Sequence, residues 1–163
     1  MYGSGLVKPK VDPNFWSPKG KIMSYGELKS VCIKSKQDGL MHCLGQADLI
    51  KTGIPNDVHC DGGDFQVSIL PEEVIKEREK ETGETYKYGD FGENLVISGV
   101  DYKSLKVGDS FSVGDSRLLI TQIGANPKKR DGSTCKGGMH KSFIFCRVTV
   151  AGIITIGDQV YID

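Results

Sequence analysis

The chain has 163 residues, a length that predicts a single domain with a substantial hydrophobic core. Its 21 Lys and Arg residues balance its 21 Asp and Glu residues, which argues against binding to nucleic acid or to a membrane through net charge. No apolar run is long enough for a transmembrane helix, and the first residues lack the apolar centre of a signal peptide, so we expect a cytoplasmic protein.

The first residues predict an extended arm, since Pro9, Pro13 and Pro18 interrupt any regular element. The arm also holds the only tryptophan, Trp16. Such an arm can strap over its own domain or contact a second copy, and the alternative is that it is disordered. We therefore expect an N-terminal arm, 1–25, and a domain, 26–163, with a homo-oligomer formed through the arm as one expectation.

The first half of the domain predicts strands and one helix. Apolar alternation predicts a strand at 27–34, and a loop with a weaker strand follows at 39–50. A further strand is predicted at 65–70. The clearest helix begins at Pro71, which suits a first helical position, and ends at Gly83, a natural C-terminal stop.

Glycines in the segment 89–99 flank an aromatic residue and predict a tight turn that presents Phe91 to the interior. Glu93 and Asn94 come directly before an apolar strand at 95–97. A carboxylate and an amide in that place can satisfy the amides of the turn, or they can orient a ligand or cofactor.

The second half of the domain predicts short strands separated by a recurring apolar-Gly-Asp pattern, which is typical of turns and bulges. Strands are predicted at 118–120, 143–150, 153–156 and 160–162. Short strands at this spacing, with one clear helix, predict a mostly β protein that closes into a β-barrel with one or a few short helices. The pattern occurs at Gly108-Asp109, Gly114-Asp115 and Gly157-Asp158.

The segment 124–141 has no periodicity, is strongly basic, and has the length of a functional or disordered loop. It contains Cys135, a candidate nucleophile whose thiolate nearby cations would stabilise. The alternative is a surface cysteine without a role. The cations that we expect to hold an anion there are Lys128, Lys129, Arg130 and Lys136.

The five cysteines are odd in number and widely spaced, which does not predict a secreted disulfide framework. Cys32 and Cys146 lie within apolar strands, where core packing explains them.

Two His-Cys pairs, at 42–43 and 59–60, lack the spacing of a structural zinc site. Four residues of one polar loop could hold a divalent ion, or they could form only a solvated loop. They are Asp57, His59, Asp61 and Asp64.

The segment 89–99 resembles the Gly-Asp-Phe-Gly/Ala-Glu-Asn signature of MOSC domains, which occur at the C-terminus of molybdenum cofactor sulfurases and as small stand-alone bacterial proteins. Further motifs follow in the order of that family. They are Asp57-Val58-His59, then 66–70, 105–109, 118–124, 145–148 and 156–158.

This resemblance implies a MOSC-type barrel and a link to the molybdenum cofactor, molybdopterin. A family cysteine after the Thr-Gln motif is proposed to carry persulfide sulfur or to ligate molybdenum, and the first thiol after that motif here is Cys135. A cysteine desulfurase or a molybdoenzyme would be the partner. Pyridoxal phosphate belongs to the separate desulfurase domain of fused family members, so we expect none here. Residues around the cofactor would be His59, Asn94, Lys128, Lys129, Arg130 and Lys136.

Two alternatives remain open beside a sulfur carrier, a sulfur transferase or a molybdenum-dependent enzyme. One is a non-catalytic module that binds a pterin or another anion at the barrel mouth. The other is an adaptor barrel whose arm docks on a partner.

Overall fold

The computed structural model describes residues 25–125 and 136–162, and for 136–138 it describes the backbone alone. The segment 126–135 and the predicted arm, apart from Tyr25, lie outside these residues. The division of the chain into arm and domain therefore stays a prediction.

The described chain consists mainly of short strands, with one α-helix and two 3-10 helices, Tyr102–Ser104 and Lys136–Ser142. The strands and the helix follow in the order β1 Tyr25–Lys34, β2 Met41–Leu44, β3 Gln46–Leu49, β4 Val67–Pro71, α1 Glu72–Thr82, β5 Leu95–Ser98, β6 Ser110–Val113, β7 Ser116–Ile123, β8 Ile144–Val150, β9 Gly152–Thr155 and β10 Gln159–Ile162.

Seven strands close into a barrel in the order β1-β10-β6-β7-β8-β4-β5, with β5 pairing back to β1. The strand β1 is long enough to pair with three strands, because it meets β10 near its start, β5 in its middle and β2 near its end. The pair β3–β9 forms a separate two-stranded sheet. The predicted mostly β, closed barrel is confirmed.

The barrel wall separates two apolar clusters. In β4, Ile69 packs in the barrel interior, whereas Leu70 packs against Val74 and Ile75 of α1, because successive strand residues point to opposite faces. Each such side chain contributes roughly 1.5–3 kcal/mol when fully buried. The outer cluster also buries Phe91, as the glycine-flanked turn predicts.

The helix ends as predicted, with Gly83 in the left-handed conformation at φ 69° and its amide donating to the Glu79 carbonyl. Its start differs slightly, because Pro71 has extended backbone and precedes the first helical residue. None of the helices in the described ranges is long and apolar enough to cross a membrane.

At two of the three Gly-Asp sites the aspartate side chain accepts a hydrogen bond from the amide of the residue three positions earlier. Asp109 accepts from Lys106 at 3.0 Å, and Asp158 accepts from Thr155 at 2.8 Å. Asp90 of the segment 89–99 does the same with Lys87 at 2.8 Å. The signature segment is therefore built on the same turn chemistry as the strand connections.

Candidate functional site

The carboxylate of Asp57 joins three parts of the chain that are distant in sequence. Its Oδ1 accepts hydrogen bonds from the Lys34 amide at 2.8 Å and from Asn94 Nδ2 at 3.0 Å. Its Oδ2 accepts from the His59 amide at 2.9 Å and lies 3.5 Å from His59 Nδ1. The end of β1, the loop 53–66 and the start of β5 thus meet at one side chain, which has no exposed surface.

Asp57 is held as a buried anion. Burial by itself raises its pKa, but the hydrogen bonds from His59, Lys34 and Asn94 outweigh burial, so the pKa of Asp57 lies below its usual value. A buried charge is tolerated only when it is paired and hydrogen-bonded, and here both oxygens are used. The carboxylate is consequently ionised at neutral pH.

Asn94 positions this carboxylate with every polar group of its side chain engaged. Its Nδ2 donates to the Cys32 carbonyl at 3.0 Å as well as to Asp57. Its Oδ1 accepts from the Ser68 amide at 2.9 Å and from Ser68 Oγ at 3.2 Å. Only 2% of Asn94 is exposed, so it acts on any ligand through Asp57 rather than by contact.

His59 faces solvent on the other side of Asp57, with 57% of its side chain exposed. Next to it, Lys36 Nζ lies 3.4 Å from the Cys60 carbonyl. The structure therefore brings the predicted residues His59 and Asn94 to opposite oxygens of one carboxylate, with the imidazole outside and the amide inside.

The loop 53–66 also reaches the Thr-Gln motif. Thr121 Oγ1 donates to the Asp64 carbonyl and to the Phe145 carbonyl. Beyond this motif, the Ala125 amide donates to the His140 carbonyl at 2.8 Å, which joins the residues after β7 to the 3-10 helix Lys136–Ser142. His140 Nδ1 is buried, and within residues 25–125 and 136–162 it has no hydrogen-bond partner.

Most of the predicted basic loop lies outside the described residues. This holds for Lys128, Lys129, Arg130 and Cys135, and for the side chain of Lys136. Their places at the site stay predictions.

Glu93 is a second buried carboxylate, with 1% exposure. Burial raises the pKa of Glu93 to about 7, although hydrogen bonds from backbone amides lower it in part. Both of its oxygens accept from the Gly89 amide, at 2.9 and 3.0 Å. Gly89 has φ 91°, in the left-handed region that favours glycine, so the Glu93 carboxylate stabilises the turn 89–94 at this residue.

The interpretation of Cys32 as a plain core thiol was wrong, because its sulfur is bonded to that of Cys43. Cys32 is fully buried as predicted, but β1 and β2 pair in a register that sets the two cysteines directly opposite each other. The sequence does not give this register directly, because a two-residue turn at Asp38-Gly39 would set Cys43 opposite Lys34. The observed register comes from a four-residue loop, 36–39, which is closed by the Ser35 amide donating to the Leu40 carbonyl at 2.9 Å. Cys146 is a buried free thiol of the barrel interior, as predicted, and burial raises its pKa.

Asp57, His59, Asp61 and Asp64 do not form a metal site in the structure. Within residues 25–125 and 136–162 no group of three or more His, Cys, Asp or Glu side chains is arranged to hold a metal ion. The short loop instead uses Asp57 and Asp61 internally, with Asp61 Oδ1 accepting from the Gly63 amide at 2.8 Å.

The fold is shared with small bacterial proteins of known structure. YuaD from Bacillus subtilis superposes with a TM-score of 0.70 at 18% identity, over 91% of this chain and 98% of that one. YiiM from Geobacillus stearothermophilus gives 0.57 at 16% identity over 85% and 73%, and YiiM from Escherichia coli gives 0.57 at 16% over 86% and 69%. No curated protein sequence matches the chain.

The family model that matches is the MOSC domain, over residues 55–127. This range includes Asp57, His59, Asn94 and Thr121, the residues that converge on the loop 53–66. This match confirms the resemblance to MOSC domains that the motifs of the chain indicate.

Proposed function

We propose that this MOSC-domain protein carries or transfers sulfur, or holds a molybdenum cofactor, where the loop 53–66 meets β5 and β7. The observation that carries the proposal is that two separated motifs, at Asn94 and at Thr121, contact this loop, which holds the motif Asp57-Val58-His59. The Asp57 carboxylate accepts hydrogen bonds from Asn94 Nδ2 and from the His59 amide, and the Asp64 carbonyl accepts one from Thr121 Oγ1. Cys135 follows the Thr-Gln motif and is the thiol that we assign to the reaction.

The described residues fit an anionic ligand with hydrogen-bonding edges. The exposed ring of His59 and the Lys36 ammonium offer donors at the surface, and no described residue forms a hydrogen bond with the buried His140 Nδ1. Molybdopterin, when bound, would supply redox chemistry at its molybdenum, with Cys135 as a ligand. Lys128, Lys129, Arg130 and Lys136 would hold its anionic part.

As a sulfur carrier, Cys135 would receive sulfur from a persulfide on a cysteine desulfurase. The Cys135 thiolate attacks the terminal sulfur of that persulfide and forms a new S–S bond. The S–S bond of the donor breaks, and the donor cysteine leaves as a thiolate. No external oxidant or reductant is needed, because both persulfides are at the same oxidation level. A molybdoenzyme is the acceptor that we propose for the sulfur.

The test is incubation with a cysteine desulfurase and cysteine, followed by mass mapping of peptides. We expect an adduct of about 32 Da, one sulfur atom, on Cys135. Cys60→Ser is the matched control, because Cys60 is a partly exposed free thiol within the described residues, and it should leave the adduct unchanged. An adduct that survives Cys135→Ser, or no adduct at all, would contradict the sulfur-carrier proposal.

The exposed imidazole and ammonium also favour a second candidate, a module that binds an anion or a pterin without catalysis. In that case Cys135→Ser leaves molybdopterin binding intact, whereas reversing the charges of Lys128 to Arg130 abolishes it. Equilibrium dialysis against the cofactor separates the two candidates.

A further inference from the structure

The cysteines Cys32 and Cys43 form a cross-strand pair of the kind in which side chains approach most closely. The Cys32 amide donates to the Asn94 carbonyl at 2.6 Å, and its carbonyl accepts from Asn94 Nδ2. Both main-chain groups of Cys32 thus face away from β2, which makes this a non-hydrogen-bonded pair with its side chains close together. The Cα atoms are 4.1 Å apart, and the sulfurs are bonded.

The two sulfurs lie in different surroundings. Cys32 is fully buried under the signature turn, where a Cβ on Gly89 would stand 3.5 Å from its Sγ. Cys43 is exposed, and its Sγ lies 3.5 Å from the Tyr88 carbonyl. A thiolate from solvent can therefore reach the sulfur of Cys43 and not that of Cys32.

The buried sulfur has a group that assists its departure. Ser30 Oγ lies 3.3 Å from Cys32 Sγ. The hydroxyl can donate to a thiolate that forms there, while Asn94 holds the main chain of Cys32 in place. A leaving group that is stabilised departs faster in thiol–disulfide exchange.

We propose that Cys32 and Cys43 form a thiol–disulfide exchange site, with Cys43 as the sulfur that is attacked and Cys32 as the buried leaving thiol. A thiolate of an external thiol bonds to Cys43 Sγ, the Cys32–Cys43 bond breaks, and Cys32 leaves as a thiolate that takes up a proton. A second thiolate then attacks the external sulfur of the mixed disulfide and releases Cys43. Two electrons pass from the two thiols to the protein, and the external thiols leave as their own disulfide.

This site is independent of the sulfur-carrier proposal. It removes two of the five cysteines from the sulfur chemistry while they are bonded, and Cys60 and Cys146 are the free thiols among the described residues. The partner that we propose is any molecule with an accessible thiolate that can attack Cys43 Sγ.

The test uses the full chain, oxidised with oxidised glutathione and then exposed to limiting reduced glutathione. Acid quenching, alkylation and peptide mapping locate the mixed disulfide. We expect a Cys32–Cys43 link in the oxidised protein and glutathione on Cys43 during reduction. We also expect alkylation of native, reduced protein to be at least roughly tenfold faster at Cys43 than at Cys32, because Cys32 needs local opening.

Three results would overturn the proposal. They are an oxidised protein without the Cys32–Cys43 link, glutathione found on Cys32, and a link that reduced glutathione leaves intact while the fold persists. Cys32→Ser supplies the matched variant, since its exposed Cys43 should form a stable mixed disulfide with oxidised glutathione. In Cys43→Ser the buried Cys32 should stay unmodified until the protein is unfolded.

Discussion

Two buried carboxylates, in the loop 53–66 and in the turn 89–94, respond to burial in opposite ways. Asp57 has its pKa lowered, and Glu93 has its pKa raised to about 7. Both are almost completely enclosed, so burial alone does not separate them. Asp57 has donors from the His59 and Asn94 side chains, whereas Glu93 has backbone amides and the like charge of Asp90 nearby.

The comparison shows that neighbouring donors decide whether a buried carboxylate works as a fixed anion or as a proton-binding group. The Asp57 region is arranged to keep a charge. The Glu93 region is arranged so that the charge is costly near neutral pH.

The largest expected effect comes from Asp57→Ala, which leaves the Lys34 amide, the His59 amide and Asn94 Nδ2 without their acceptor. We expect a loss of about 4 kcal/mol in the free energy of unfolding, measured by urea denaturation at pH 7. Asp61→Ala is the matched control in the same loop, because Asp61 is exposed, and it should cost less than about 1 kcal/mol. Equal losses in the two variants would show that Asp57 is not a structural centre.

The second largest expected effect is a dependence of the free energy of unfolding on pH, which results from Glu93. Its folded pKa lies above the value of 4.5 for an ordinary glutamate, so the folded state binds more protons between these two values. Stability is therefore fully present below about pH 4.5 and falls as pH rises through about 7, by roughly 3 kcal/mol in total. Urea denaturation at several pH values from 5 to 8 measures this slope.

Glu93→Gln should flatten that slope, because the side chain of the variant residue cannot ionise. Glu77→Gln on the exposed face of α1 should retain it. A wild-type protein whose stability is flat between pH 5 and 8 would contradict the assignment. The Asp57 contribution has the opposite sign and is lost only as pH falls below about 3.8, so the two windows do not overlap.

The smallest effect concerns His59→Ala. The side chain is mostly exposed, so losing its interaction with Asp57 should cost less than about 1 kcal/mol. The pKa of Asp57 should rise, since one of the groups that lowers it is gone. Carboxyl chemical shifts in an NMR titration measure this rise, and His42→Ala, at an exposed imidazole paired with Asp38, is the control that should leave Asp57 unchanged.

Local features of the fold follow from the sequence. Gly83 ends the helix because glycine reaches φ 69° without strain, and the turns at Asp109 and Asp158 close because each of these aspartates accepts from an amide three residues back. Both relations act within a few residues, so a pattern read along the chain captures them. The motif order likewise led to the MOSC family.

The candidate site was predicted only in part. His59 and Asn94 were named from motifs, but the residue that joins them, Asp57, was interpreted as a metal ligand or a loop residue. Its role depends on Lys34 and Asn94, which are 23 and 37 positions away. No periodicity links such positions.

The sequence by itself determined the strand-rich class, the helix, the turns and the family, because these rest on local backbone preferences and on ordered motifs. Only the tertiary structure decided that Asp57 is a buried anion whose oxygens lie close to four nitrogen atoms, that the pKa of Glu93 is raised, and that Cys32 is bonded to Cys43. Each of these depends on strand pairing and burial, which fix the donors, the exclusion of water and the distance between side chains.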